Sequence, residues 1–190
     1  KLPEGEILEF ESGGFIQIEV PPYQYDFREF DVDEQFGGDW ERFGVWDLRS
    51  VNHETVFRAY SMGNHPAEGN RVMLNIRIAT PPFDRVKGGW MDVNPGIVSS
   101  YAFNLKSGDK STISGPFGDF FIQETDREMV YVGGGAGMAP LRSHLFHLFH
   151  TLKTDRKVSY WYGARSLQEM FYEDHFQDID ERFPNFSFHV

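Results

Sequence analysis

From Met129 onward the chain alternates short apolar runs with segments whose apolar residues recur every three or four positions. Met129 to Val132 reads as a buried strand, and Leu141, Leu145, Leu148, Phe149 and Leu152 make the stripe of a helix over 141–152. Lys157 to Tyr162 reads as a second strand, about Leu167 to Phe183 as a second helix, and Phe186 to Val190 as a third strand. That βαβαβ order predicts a parallel sheet. Upstream the grammar differs. Phe15–Val20, Thr55–Tyr60, Val72–Ile78 and Lys110–Ser114 show strand-like runs or alternation separated by Gly, Pro and Asp turns, which close most naturally as an antiparallel barrel. The polar stretch Glu124–Glu128 has no apolar periodicity and sets the boundary. The expected fold is therefore an antiparallel β-barrel over residues 1–124 followed by a parallel α/β domain over 125–190.

Three motifs lie on this frame. Met129-Val-Tyr-Val-Gly133-Gly-Gly-Ala-Gly-Met-Ala-Pro140 passes from a strand through small residues into a helix, with Pro140 suited to a first helical position. Strand, glycine loop and helix form the first half of a nucleotide-binding unit, in which a pyrophosphate approaches bare main chain at a helix start. The loop reads G-x-G-x-x-P, departing from the usual fingerprint, and no acidic residue closes the next strand, which ends Tyr162-Gly163-Ala164-Arg165. A Pro95-Gly96 turn running into Val98, Tyr101, Ala102 and Leu105 reads as a second helix start with free N–H groups for an anion. On the strand ending at Tyr60, Arg58 and Tyr60 share one face while Ala59 and Ser61 share the other. A guanidinium there can clamp a pyrophosphate while the phenol ring lies flat on a heterocycle. By itself that tetrapeptide is more often ordinary strand surface, and the helix start more often an ordinary cap.

In order, R-x-Y-S at Arg58–Ser61, P-G-x-x-S-S-Y at Pro95–Tyr101, G-P-F-G-D-F-F at Gly115–Phe121, the glycine loop and Y-G-A-R at Tyr162–Arg165 resemble the ferredoxin-NADP reductase superfamily. In detail, the chain is similar to the family of F subunits of bacterial sodium-translocating NADH:quinone oxidoreductases. The acidic, aromatic insert at 21–54, which ordinary superfamily members lack, carries that closer likeness. The resemblance implies an FAD-binding barrel, an NADH-binding α/β domain, and hydride transfer from NADH to FAD. It places Tyr60 against the isoalloxazine and Ser61 near N5. It assigns Arg58 and the turn Gly96, Ile97, Val98 and Ser99 to the FAD pyrophosphate, Ala59 to the cofactor more generally, and the backbone at Asn75, Arg77 and Ala79 to the flavin edge. Gly135, Gly137, Met138, Ala139 and Pro140, with Gly163 and Arg165, face NADH. Ala136 and Ala139 stand where the family commonly carries other residues. The family also carries a 2Fe-2S domain and a transmembrane helix on a protein held at the cytoplasmic side of the inner membrane, beside other subunits of a redox complex. Neither is encoded here, so the chain reads as an internal fragment whose electrons leave singly for an iron–sulfur domain outside it.

Composition narrows the alternatives. A net charge of -11 disfavours nucleic acid or an anionic membrane surface as direct partner, and the anionic cofactors then need local clamps. With no cysteine, disulfides, a thiolate nucleophile and a Cys-ligated cluster are excluded within these residues. The chain has no 18-residue apolar run. Arg165 has no second basic neighbour for a 2'-phosphate, which favours NADH over NADPH.

Other constellations are weaker. His144, His147 and His150 recur at a spacing of three and read as the polar flank of their helix, with a metal site the lesser reading. Asp31, Asp33 and Glu34 suggest a cation loop, but Gly37 and Arg42 are misplaced for calcium. Residues 23–54 carry nine acidic and three basic side chains around Trp40, Phe43 and Trp46; they form either a lobe packed on the barrel or a docking face. The alternatives to the NADH dehydrogenase reading are a reductase component of a bacterial oxygenase and a non-catalytic flavin- or nucleotide-binding module.

Overall fold

The computed structural model describes residues 1–190 apart from the side chain of Gln168. In chain order the elements are β1 (Phe15–Val20), β2 (Tyr23–Asp26), α1 (Glu34–Arg42), β3 (Arg49–Asn52), β4 (Val56–Ser61), β5 (Phe83–Asp84) and β6 (Gly89–Trp90). They continue as α2 (Ile97–Asn104), β7 (Thr112–Phe117), β8 (Met129–Gly133), α3 (Ala139–Phe146), β9 (Val158–Tyr162), α4 (Glu173–Arg182) and β10 (Phe186–His189). Strands β4, β1 and β7 form one sheet in that order, and β2–β3 and β5–β6 form antiparallel pairs. The C-terminal sheet runs β10-β9-β8 and is parallel throughout. The β-then-α/β class expected from the sequence is the class observed.

Two compact units emerge, and the chain passes between them several times. One comprises residues 1–16, 60–75 and 115–190; the other comprises 17–59 and 76–114.

In the first unit the parallel sheet packs its inner face on α3 and α4. Tyr131, Tyr160 and Tyr162 meet Leu141, Leu145, Phe176 and Ile179 in one cluster. Alternation sends Val130, Val132 and Trp161 to the opposite face, where they are exposed. Helix α3 forms because Pro140 pre-sets its first turn and Leu141, Leu145, Leu148 and Phe149 share a stripe. It is shorter than expected: after Phe146 the backbone widens into a π turn over His147–Thr151, with Leu152 N–H reaching His147 O at 2.9 Å, and Leu152 itself is exposed.

Two further expectations are corrected. The helix expected over 167–183 is a short 3-10 turn at Leu167–Glu169 followed by α4. Met170 is extended, Tyr172 adopts a left-handed conformation (φ 58), and Phe171 N–H is held by Tyr162 Oη at 3.0 Å. The expected strand at Val72–Ile78 reduces to one bridge between Met62 and Leu74. Side chains replace its ladder: Met73 N–H donates to Asn64 Oδ1 at 2.8 Å, and Asn64 Nδ2 donates to Arg71 O at 2.9 Å.

In the second unit the acidic insert is a packed lobe. Phe27, Phe30, Trp40 and Val45 build a core that takes in Phe103 from α2, with Ile78 and Trp90. Hydrogen bonds fasten it: Tyr23 Oη donates to Ile97 O at 2.6 Å, Trp90 Nε1 to Phe43 O at 2.9 Å, and Asn94 exchanges two bonds with Val51. Asp33 caps α1 through Gln35 N–H, which gives one of the clustered carboxylates a local structural task. Among the described residues no helix is long and apolar enough to cross a membrane.

Candidate FAD and NADH site

In the second unit the Pro95-Gly96 turn is pinned to Ala79. Gly96 N–H donates to Ala79 O at 2.8 Å, while Ser99 Oγ accepts from Ala79 N–H at 3.1 Å and donates to Gly96 O at 3.0 Å. A Cβ on Gly96 would lie 2.6 Å from the Ala79 side chain, so only glycine permits this approach. The expected residues Ala79, Gly96 and Ser99 are thus brought together. The Ser99 hydroxyl is spent on shaping the turn, and Val98 is buried, so the anion-binding capacity of this helix start lies in its backbone N–H groups. Ser100 N–H is the first to bond back, to Gly96 O at 2.9 Å. Arg58 and Ala59 are exposed on β4, and Arg77 is exposed as well. The guanidinium of Arg58 donates to the neighbouring Phe57 O at 2.8 Å, which leaves a cation on the surface of the strand.

In the first unit Tyr60 and Ser61 finish β4, both half-buried. Asn75 donates through Nδ2 to Tyr172 Oη at 3.2 Å, while its buried Oδ1 has no protein partner. A buried acceptor left open is costly unless a donor arrives, which suits a polar ligand edge.

The glycine loop is built from close approaches. A Cβ on Gly134 would meet Gly163 O at 1.9 Å, and Gly163 N–H donates to Gly133 O at 3.0 Å, so the loop lies directly against the end of β9. Gly135, at φ +56, and Gly137 have no atom within 4 Å of where a Cβ would sit, and neither has Gly163. Open main chain at a strand-to-helix turn is the cradle a dinucleotide needs, and these residues fit one. Met138 and Ala139 are buried in the core beneath the loop, so their backbone and not their side chains would face the ligand. Arg165 is exposed and paired with Glu169, Nε to Oε2 at 3.0 Å. An open groove of about 680 Å³ runs along Phe120, Val130 and Arg156, but its lining contains no residue of the glycine loop.

The histidines correct the sequence reading. His144 is buried, not on a polar flank: its Nε2 lies 3.1 Å from Ser12 O and 3.0 Å from Phe120 O, and its Nδ1 lies 3.3 Å from Tyr131 Oη. Two carbonyl neighbours make Nε2 the protonated nitrogen and leave Nδ1 to accept from the phenol. Burial holds His144, His65, His147 and His150 below the ordinary histidine value. Among the described residues no group of three or more metal-ligating side chains comes together.

Sequence reasoning missed Arg142 and Glu68. Arg142 sits beside the apolar stripe of α3 and is buried, with both guanidinium ends on the Glu68 carboxylate at 2.9 and 3.0 Å. Burial alone would raise the Glu68 carboxyl, but the hydrogen bonds from Arg142 and from His65 N–H carry it below its ordinary value. The separation of 74 positions between the partners left no local signal in the sequence.

A β-rich first part, a parallel α/β second part and two nucleotide-type loops define a ferredoxin reductase-like flavin- and nicotinamide-nucleotide-binding module. The oxidoreductase FAD-binding domain matches residues 43–122 and the oxidoreductase NAD-binding domain residues 131–190. The cytochrome b5 reductase domain of Ulva prolifera nitrate reductase shares the fold, with a TM-score of 0.65 and 14% identity over 97% of this chain and 62% of that one. Over its whole length the chain is similar to F subunits of Na(+)-translocating NADH-quinone reductases. It is 55% identical over 190 residues to the F subunit of Idiomarina loihiensis, covering all of this chain and 45% of the relative. The F subunit of Shewanella putrefaciens is 54% identical over the same span, which is 61% of its length. The chain thus spans about half the length of the relatives it matches.

Proposed function

We propose that this chain is the NADH-oxidising flavoprotein portion of a sodium-translocating NADH:quinone oxidoreductase, with FAD bound on the domain of residues 1–124 and NADH on that of residues 125–190. The observation that carries the reading is the glycine loop at Gly133–Pro140, open at Gly135 and Gly137, in a chain that also holds the Arg58–Ser61 strand motif. Bound FAD would supply the capacity to take a hydride from NADH and release its electrons one at a time.

The protein's share is geometry and electrostatics. Arg58 and the N–H groups of Ile97 and Val98 would hold the FAD pyrophosphate, a charge-assisted clamp supported by the exposed guanidinium and the first turn of α2. Tyr60 and Ser61 would hold the flavin ring, and the unpartnered Asn75 Oδ1 would accept a hydrogen bond from it. The backbone of Gly135, Gly137, Met138 and Ala139, beside Gly163, receives the NADH pyrophosphate and nicotinamide side. Glu169, paired with Arg165, places a carboxylate where a 2'-phosphate would otherwise find a free cation, which supports NADH over NADPH.

A 2Fe-2S domain outside this chain would take the electrons toward Na+-coupled quinone reduction, with the parent complex at the cytoplasmic side of the bacterial inner membrane. Other subunits of that complex are the expected partners. Absorbance spectroscopy of the purified chain mixed with FAD tests the reading. A protein-bound flavin spectrum that NADH bleaches under anaerobic conditions is expected. A bound flavin that NADH leaves oxidised would instead identify a binding module without turnover.

A further inference from the structure

Within the first unit, the helix that leaves the glycine loop also grips the chain just beyond Ser61. Arg142 Nη1 donates to Gly63 O at 2.7 Å and to Glu68 Oε2 at 2.9 Å, and Nη2 donates to Glu68 Oε1 at 3.0 Å. The next residue repeats the hold: Ser143 Oγ donates to Asn64 O at 2.8 Å. On the far side of the same segment, Met62 N–H donates to Gly14 O at 3.0 Å and Gly63 N–H to Met73 O at 2.7 Å. Residues 62–64 are therefore held from both sides. Ser61 precedes them directly.

The guanidinium is itself immobilised. It lies 3.9 Å over the Phe146 ring and 4.9 Å from the Tyr172 ring, and Tyr172 also receives Asn75 Nδ2. His175 Nδ1 stands 3.4 Å from Nη2. Burying an ion pair is a poor route to stability, because desolvation offsets the attraction and well-packed apolar side chains often serve as well. What an arginine fork gives that a leucine cannot is fixed orientation toward a carboxylate and a carbonyl at once.

We propose that Arg142 is a positioning residue for hydride transfer: it registers the Tyr60–Ser61 strand end against the helix that carries the glycine loop. The proposal rests on the functional reading above. Hydride transfer depends steeply on the placement of the two reacting partners, so a small slip in this register slows the step without removing either binding contact.

The test uses Arg142→Lys and Ser143→Ala in the 190-residue chain. Arg142→Lys keeps the charge but cannot hold Glu68 by two bonds and Gly63 together. Stopped-flow flavin reduction should show the limiting rate falling about tenfold or more in Arg142→Lys, with FAD content and the NADH concentration for half-maximal rate nearly unchanged. Ser143→Ala should show the same split with a smaller loss, about threefold, and covers the case in which Arg142→Lys does not fold. Hydrogen exchange of the flavin-free chain gives a second readout. Peptides covering 60–64 should exchange faster in Arg142→Lys while those covering Val158–Tyr162 keep wild-type protection. Wild-type chain reduced by NADH alongside a variant reduced equally fast would overturn the proposal alone. A fall of FAD content in step with the rate, or faster exchange everywhere, would overturn it as well. Wild-type chain that binds FAD but is never reduced would overturn the functional reading and this proposal together.

Discussion

Arg142 Nη1 and Nη2 lie 2.9 and 3.0 Å from the two carboxylate oxygens of Glu68, with the side chains 3% and 14% exposed. A pair this deep behaves unlike the exposed pairs of the chain, such as Arg182–Asp178. Removing one partner leaves an uncompensated buried charge. Glu68→Ala is therefore expected to cost about 3–5 kcal/mol of folding stability. Urea unfolding measures it, and a midpoint unchanged from wild type would show that water already screens the guanidinium.

Arg58→Ala should weaken FAD binding without altering the fold, because the side chain is exposed and bonds to the adjacent carbonyl. Loss of one charge-assisted clamp is typically worth about 1.5–3 kcal/mol, a tenfold to hundredfold change in Kd. Titration of the flavin-free chain by fluorescence quenching reads the shift. Retention of FAD at wild-type affinity would remove Arg58 from the site.

Ser61→Ala should act on rate more than on affinity. A hydroxyl beside N5 matters most where charge shifts as the hydride arrives, whereas a clamp on the pyrophosphate acts equally on resting and reacting states. NADH-dependent flavin reduction followed by stopped flow separates the two. Equal losses in rate and FAD affinity would make Ser61 a binding contact only.

Two glycine substitutions should behave oppositely. In Gly134→Ala the new methyl would stand 1.9 Å from Gly163 O, so backbone must move, at about 1–3 kcal/mol and several degrees of melting temperature. In Gly137→Ala nothing lies within 4 Å, so the fold is retained while the methyl enters the cradle. Calorimetry should show Gly134→Ala melting early and Gly137→Ala melting like wild type, with NADH affinity reduced in both. Full NADH affinity in Gly137→Ala would place the dinucleotide elsewhere.

Acidification should destabilise the chain in two windows. His65, His144, His147 and His150 are held below 6.5 by burial, so the unfolded chain binds more protons as pH falls through that value. Their contribution is complete above about pH 6.5 and declines below it. Glu68 runs later. Its carboxyl lies below 4.5 in the fold, so the stability it gives persists above that value and is lost as pH falls through the lower folded one. Urea midpoints between pH 7.5 and pH 3.5 should fall in both windows; a flat profile between pH 7 and pH 5.5 would contradict the first.

The strands and the glycine loop were legible because their causes are local. Alternation specified β1 over Phe15–Val20 residue for residue, and five small residues between an apolar run and a leucine stripe announced the Gly133–Pro140 turn. The elements misread were those in which a side chain replaces a backbone partner. Asn64 takes the bonds expected of a strand at 72–78, and Tyr172, turned left-handed, breaks the apparent helix over 167–183. No periodicity records such substitutions.

The nucleotide loops, the order of the motifs and the β-then-α/β architecture are properties of the sequence by itself, since turn chemistry and hydrophobic period act between near neighbours. Only the tertiary structure decided that Ser99 shapes a turn, that His144 is an interior residue between two carbonyls, and that Arg142 clasps Glu68 across 74 positions. A polar side chain follows the hydrogen-bond partners that folding brings to it. Those partners lie far away in the chain, and their attraction becomes strong only once water has been excluded around them.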